Sequence, residues 1–153
     1  MQNADLEIFA DYNCVYLEDE KNDAFSPEWS EKEIADMATV SESTVILCPV
    51  RAMTVPVRVE IYAAEPDENL GDWDHVVECS IHSLTGRMSI QGGTGPITAW
   101  LTVEPGWYQV TLLYAGLDTL NNYGLDGDDH YKIVLWPGAS RPLQVVKRWT
   151  RQD

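Results

Sequence analysis

Basic side chains are scarce in this sequence. Ten Lys and Arg stand against 25 Asp and Glu, a formal net charge of -15. A surface with that balance repels phosphate backbones at physiological salt, which argues against direct nucleic-acid binding. Long apolar runs are also missing. None approaches the length of a transmembrane span, so no membrane role is expected. The opening MQNADLEIF has neither a basic region nor a long apolar stretch. It does not look like a secretion signal, and a soluble cytoplasmic protein is the default expectation. Cysteine is rare and odd in number: Cys14, Cys48 and Cys79, with no CxxC pair. Each lies in an apolar, strand-like run. Buried free thiols in a reducing compartment are expected, rather than a structural disulfide or a zinc site.

The chain is equally poor in recognisable chemistry. His75, His82 and His130 form no His-x-x-x-His or His-x-Glu pair. No GxSxG elbow locates a nucleophile. The GGTG at 92–95 lacks the Lys-Ser/Thr end of a phosphate-binding loop. An enzyme is not expected, and no cofactor is implied. One weak metal alternative is the carboxylate set Asp118, Asp126, Asp128 and Asp129. Calcium wants several hard oxygens around one point, but the spacing is not that of an EF-hand. Asp, Asn and Gly at these positions also suit ordinary turns.

What the sequence does contain is strand signal. Its 153 residues suit a single domain, and 44% are apolar. LEIFADYNCVYL (6–17) alternates at period two, with Ile8, Ala10, Tyr12, Cys14 and Tyr16 expected inward. TVILC (44–48), VPVRVEIYA (55–63) and HVVECSIHS (75–83) read as further strands. Glu104-Pro105-Gly106 reads as a type II turn making a hairpin of ITAWLTV and WYQVTLLYA. In its second arm Tyr108, Val110, Leu112 and Tyr114 share a face. One helix is signalled. Ser30 and Glu33 make a capping box, and Trp29 and Ile34 have the spacing of a hydrophobic staple. That helix is expected from Glu31 to Ala38, with Ile34, Met37 and Ala38 on its buried face. The expected fold is mainly β: an antiparallel β-sandwich of about eight strands with one short helix. It is read as one domain, 1–153, with a basic C-terminal segment, 141–153.

The charge is unevenly placed. Residues 1–78 hold 19 acids and 4 bases, and residues 79–153 hold 6 of each. Two clusters stand out. The first is Glu18, Asp19, Glu20 and Asp23. The second is Asp67, Glu68, Asp72 and Asp74 around Trp73. A partner with a basic surface would meet such clusters, although plain solubility accounts for charged loops equally well. Trp73 either anchors a contact or folds back over the sheet edge. Trp149, in the basic VKRWTR, is placed to cross an acidic patch of its own chain or of a second copy.

The order of several features resembles the ComJ family. They are the opening strand DYNCVYLED, Pro27, Trp29 and the WSEKEI helix start, the strands TVILC and VPVRVEI, and the VEPGWYQV turn before an Asp-rich segment. The pattern spans about four fifths of the chain, counted from those motifs. Members of that family are small inhibitors of the DNA-entry nuclease of competent bacteria. The resemblance implies a β-sandwich with a small helix that inhibits a nuclease stoichiometrically. Carboxylates on a rigid sheet would then imitate phosphates and cover a Lys/Arg-rich surface.

Three readings follow. The first is a protein-binding module, an inhibitor or immunity-type protein for a nuclease, acting through the two acidic clusters. The second is a small-ligand or carbohydrate-binding sandwich built around Trp73, Tyr123 and the Asp-rich loop, possible with calcium. The third is a structural homo-oligomer with the basic tail crossing in trans.

Overall fold

The computed structural model describes residues 1–151. The last two residues of the expected basic segment lie outside the described residues. Among the described residues eleven strands and one α-helix follow in order. They are β1 (Gln2–Phe9), β2 (Val15–Asp19), α1 (Glu31–Asp36), β3 (Ala38–Val40), β4 (Thr44–Leu47) and β5 (Thr54–Ile61). Then come β6 (His75–Ser83), β7 (Arg87–Gly92), β8 (Ala99–Thr102), β9 (Gly106–Ala115), β10 (His130–Pro137) and β11 (Gln144–Lys147). A six-stranded sheet has the order β1-β5-β10-β9-β6-β11, and a five-stranded sheet the order β3-β4-β2-β7-β8. The pairs are antiparallel except β5 with β10, which run parallel. The sheets meet through β6 against β2, β3 and β4, and through β1 against β7. The architecture is the expected sandwich, with more strands than the eight anticipated.

The alternations place the core. Val55, Val57, Val59 and Ile61 of β5 and Tyr108, Val110, Leu112 and Tyr114 of β9 all lie in the main buried cluster. Between the sheets they meet Val15, Leu17, Val45 and Leu47. At roughly 1.5–3 kcal/mol for each fully buried aliphatic or aromatic side chain, this layer is the main stabilising term.

Two expectations about strand connection fail, and both fail where the chain changes sheets. The stretch 6–17 is not one strand. It breaks at Ala10 into β1 and β2, which belong to different sheets. A single 3-10 turn, Asp11–Asn13, makes the crossing, with Tyr12 and Asn13 both at φ 57°. The break reverses the phase: Val15 and Leu17 point inward, and Tyr16 faces out half-buried. Period two cannot register an inserted turn of this kind. The glycines of GGTG make the crossing possible. A Cβ on Gly92 would lie 1.8 Å from the Phe9 carbonyl oxygen, and one on Gly93 2.2 Å from that of Asp11. The second failure is the hairpin. β8 pairs with β7 in the five-stranded sheet, whereas β9 enters the six-stranded one. Glu104-Pro105-Gly106 therefore carries the chain between layers, and Tyr108 Oη clamps it by donating to the Glu104 carbonyl at 2.7 Å.

The helix begins as expected. The Ser30 hydroxyl accepts from Glu33 N, and the Glu33 carboxylate accepts from Ser30 N, completing the capping box. It ends early, at Asp36, because Met37 turns left-handed at φ 58°. Ile34 is exposed rather than packed beneath it. Asp36 is its buried residue, so polar contacts hold the helix where an apolar face was expected.

Candidate protein-binding site

The first acidic cluster sits where β2 ends. Asp19 is fully buried. Its carboxylate accepts from Lys21 N (2.9 Å), Ser83 Oγ (2.8 Å), Thr85 N (3.2 Å) and Thr85 Oγ1 (3.0 Å). Burial alone would raise its pKa. The hydrogen bonds outweigh that and hold the carboxyl below the usual range. Asp19 thus ties the β2 end to the β6–β7 turn and presents nothing to a partner. Its sequence neighbours face outward. Glu18 accepts from Gln91 Nε2 at 2.6 Å. Glu20 pairs with Arg87 at 2.7 Å, and that guanidinium lies 3.8 Å from the centroid of the Trp100 ring. Asp23 accepts from Ser41 Oγ at 3.0 Å and Ser43 Oγ at 3.4 Å. Each of the four acids is held by a partner in its own chain.

The second cluster is arranged differently. The outer face of the six-stranded sheet carries its own apolar group, Val76, Leu113, Val134 and Trp136, with Tyr62, Leu70 and Trp73 packed against it. The β5–β6 loop passes over this face and stands away from part of it. A cleft of about 400 Å³ remains. Glu65, Asp67 and Glu68 line one wall, Glu78 and Thr111 another, with Val76, Leu113, Val134 and Trp136 beneath. Glu68 pairs with Lys132 at 2.7 Å, and Glu78 reaches Arg141 at 3.5 Å. Among the described residues Glu65 and Asp67 have no hydrogen-bond or ion-pair partner. Asp72 is exposed on a 3-10 turn, Leu70–Asp72, that Asn69 caps by accepting from Gly71 N. Asp74 is half-buried and accepts from Leu117 N at 3.0 Å.

Trp73 folds back over the sheet. It packs on the outer apolar group, tilts against His130 at 5.5 Å between centroids, and has the Lys132 ammonium 5.5 Å from its ring centroid. It is therefore part of the cleft's support. Glu65 and Glu78 went unremarked in the sequence. Glu65 directly precedes the acidic loop, and Glu78 is the acid within the strand-like HVVECSI run. Both are signals of position rather than of chemistry.

The Asp-rich loop does not converge on one point. Asp129 is buried, bonded to Arg51 Nε at 2.7 Å and to Tyr131 Oη at 2.6 Å. Asp118 accepts from Trp149 Nε1 at 2.9 Å, and Asp126 lies 3.9 Å from Arg51. Asp128 is exposed. Among the described residues no group of three or more His, Cys, Asp or Glu is placed to hold a metal ion. Tyr123 is exposed and lines neither this cleft nor the larger groove described next.

That groove, of about 970 Å³, runs between α1, the Asp11–Asn13 turn and the C-terminal segment. Tyr12, Trp29, Ile34 and Trp149 give it apolar walls. The basic tail forms one side by folding onto its own chain. Arg148 donates to the Ala35 carbonyl and to Asp36, at 2.7 and 2.6 Å. Trp149 N donates to His75 Nδ1 at 3.0 Å. The buried imidazole must then carry its proton on Nε2, which donates to the Asp36 carbonyl at 2.7 Å. The tail thus meets acids of its own chain, Asp36 through Arg148 and Asp118 through Trp149.

No family model matches the sequence, and no curated protein does. Solved structures do match. That of ComJ, inhibitor of the DNA degrading activity of NucA, from Bacillus subtilis, superposes with a TM-score of 0.67 at 12% identity. The match covers 90% of this chain and 96% of ComJ. A second, named crocagin biosynthetic gene J, matches with a TM-score of 0.61 at 21% identity, over 91% of this chain and all of that one. At these identities the likeness is one of fold. The resemblance first read from motif order thus holds at the level of architecture: the chain has the ComJ fold.

Proposed function

We propose that the protein is a non-catalytic inhibitor or immunity-type protein that covers the basic surface of a nuclease. The observation that carries this reading is the fold shared with a solved nuclease inhibitor across nine tenths of the chain. The electrostatics support it. A DNA-holding surface is rich in Lys and Arg, and this chain carries a net charge of -15. The contact face assigned here is the acidic cleft, with Glu65, Asp67 and Glu68 over a floor that includes Trp136, and with Asp72 exposed beside it on the loop that Trp73 holds to the sheet. An Arg or Lys of the partner would lay its aliphatic stem on the apolar floor and its charge between Glu65 and Asp67. Glu18, Glu20 and Asp23 form a secondary acidic face, and Asp19 drops out because it is buried.

The test is inhibition of a basic DNA-degrading nuclease such as NucA by the purified protein. A stoichiometric block, with association slowed by salt, is expected. The charge reversal E65K/D67K should weaken binding at least tenfold. Inhibition unchanged in that folded variant would remove the cleft from the mechanism. No inhibition by the wild-type chain would count against that nuclease as its target.

A second reading rests on the larger groove. Its aromatic walls suit a small apolar or aromatic ligand. Quenching of Trp29 and Trp149 fluorescence by such a ligand, abolished in W149A, would support it.

A further inference from the structure

The larger groove contains a feature that the protein-binding reading does not use. In the antiparallel register Val15 faces Leu47 and Tyr16 faces Ile46. Continued one step beyond the paired residues, the same register sets Cys14 opposite Cys48. Neither backbone N–H crosses between them: Cys14 N donates to Asp11 O, and Cys48 N donates to Met37 O. This is therefore a non-hydrogen-bonded cross-strand position, where opposed side chains come closest, at Cα separations a disulfide accepts. The thiols of Cys14 and Cys48 are close enough to interact, and the Tyr16 hydroxyl acts on the Cys14 sulfur as well. In the reduced form Cys14 Sγ–H donates to the Tyr12 carbonyl at 3.3 Å. Both cysteines line the groove, with Cys14 nearly buried and Cys48 half-buried. The third cysteine, Cys79, is fully buried in the main core, away from the groove.

We propose that Cys14 and Cys48 form a redox-modification site, a dithiol that a hydroperoxide oxidises reversibly to a cross-strand disulfide. The oxidant must be small, because the Cys14 sulfur is almost covered. The Cys48 hydrogen bond favours its thiolate and holds its pKa below the ordinary thiol value, while the same contact and burial push Cys48 up. Cys14 is then the attacking sulfur. Its thiolate displaces hydroxide from hydrogen peroxide, giving a sulfenic acid as the O–O bond breaks. The Cys48 sulfur attacks that sulfur, the S–O bond breaks, and the oxygen leaves as water with the Cys48 proton. In sum two thiols and one peroxide give one disulfide and two waters. The bond would lock β2 to β4 along the groove wall. It would also close a loop that contains α1 and the whole first acidic cluster.

The test treats the folded wild-type chain with hydrogen peroxide, then counts thiols after denaturation and maps peptides without reduction. Titratable thiols should fall from the three free cysteines to one. The map should show a Cys14–Cys48 linked peptide, reversed by dithiothreitol, and C79S should behave as the wild type. In C48S, the Cys14 sulfenic acid should persist and be trapped by dimedone. Three thiols remaining in the peroxide-treated wild type would overturn the proposal. So would a dimedone adduct on Cys14 while Cys48 is present, or a linked peptide containing Cys79. The wild-type measurement decides the matter even where C48S fails to fold.

Discussion

Two acidic stretches of similar composition have been put to opposite uses. At the end of β2 and in the turn after it, four acids in six residues are absorbed by the fold: Asp19 inside it, Glu18, Glu20 and Asp23 each bonded at its surface. In the β5–β6 loop, Glu65 and Asp67 stand unpartnered over an apolar cleft. The difference comes from what lies beneath. Asp19 has two hydroxyls and two backbone N–H groups around it, so ionised burial is favourable there. The loop has a largely apolar sheet face below it, which partners Glu68 through Lys132 but gives Glu65 and Asp67 no donors and leaves them in water. Local acidity therefore says little about function until the donors nearby are counted.

The largest effect that would test this contrast is D19N. An amide puts an N–H against donors that need an acceptor, and about 3 kcal/mol of stability should be lost. Urea unfolding measures it. A loss under about 0.5 kcal/mol, the range of ordinary surface changes, would mean that the cluster is not structural.

Next comes the support of the cleft. Trp73 spans the loop and the outer apolar group, so W73A should cost about 2 kcal/mol, below the range for a fully buried Trp. It should also weaken partner binding by releasing the loop. Loss of binding with unchanged stability would instead make Trp73 a direct contact.

Acid titration sharpens the contrast further. The folded Asp19 carboxyl lies below its ordinary value. Above about pH 3.9, the ordinary Asp value, it is ionised folded and unfolded, and its contribution is full. As pH falls below that, the unfolded chain takes up the proton first. Stability then declines until the folded carboxyl is also protonated. D19N should flatten this acid limb of the stability curve. His75 acts in the same sense at higher pH. Burial holds its pKa below the ordinary value, so stability should begin to fall below about pH 6.5 as the unfolded imidazole takes up its proton. A pH series of denaturation midpoints for wild type, D19N and H75Q separates the two.

Much of the layer structure was legible in the sequence because period two reports which face of a strand is buried. The β5 and β9 faces and the capping box of α1 were read correctly. What period two does not report is a change of sheet. The crossing at Ala10 needs the left-handed Tyr12 and Asn13, neither of them glycine, and room made by Gly92 and Gly93 some 80 residues later. That information is non-local. The second acidic loop was also legible as a cluster. Its cleft was not, because the floor comes from β6, β9 and β10, and nothing in any one of those strands marks Val76, Leu113, Val134 and Trp136 as a group apart from the inner core. They are a core, but on the far side of the sheet.

The smallest stability effect, and the most telling for function, belongs to E65Q/D67N. Neither side chain has a partner to lose, so the direct cost should be near zero. Removing two like charges from a chain of net charge -15 relieves self-repulsion, so stability should hold or rise by up to about 0.5 kcal/mol at low salt. The same pair of changes in E20Q/D23N should instead lower it, because Arg87 loses its ion pair and Ser41 and Ser43 exchange a charged acceptor for a neutral one. Partner affinity should move the other way: E65Q/D67N weaker, E20Q/D23N nearly unchanged. A chain that needs its acids for solubility alone would show no such inversion, and the two variants would bind alike.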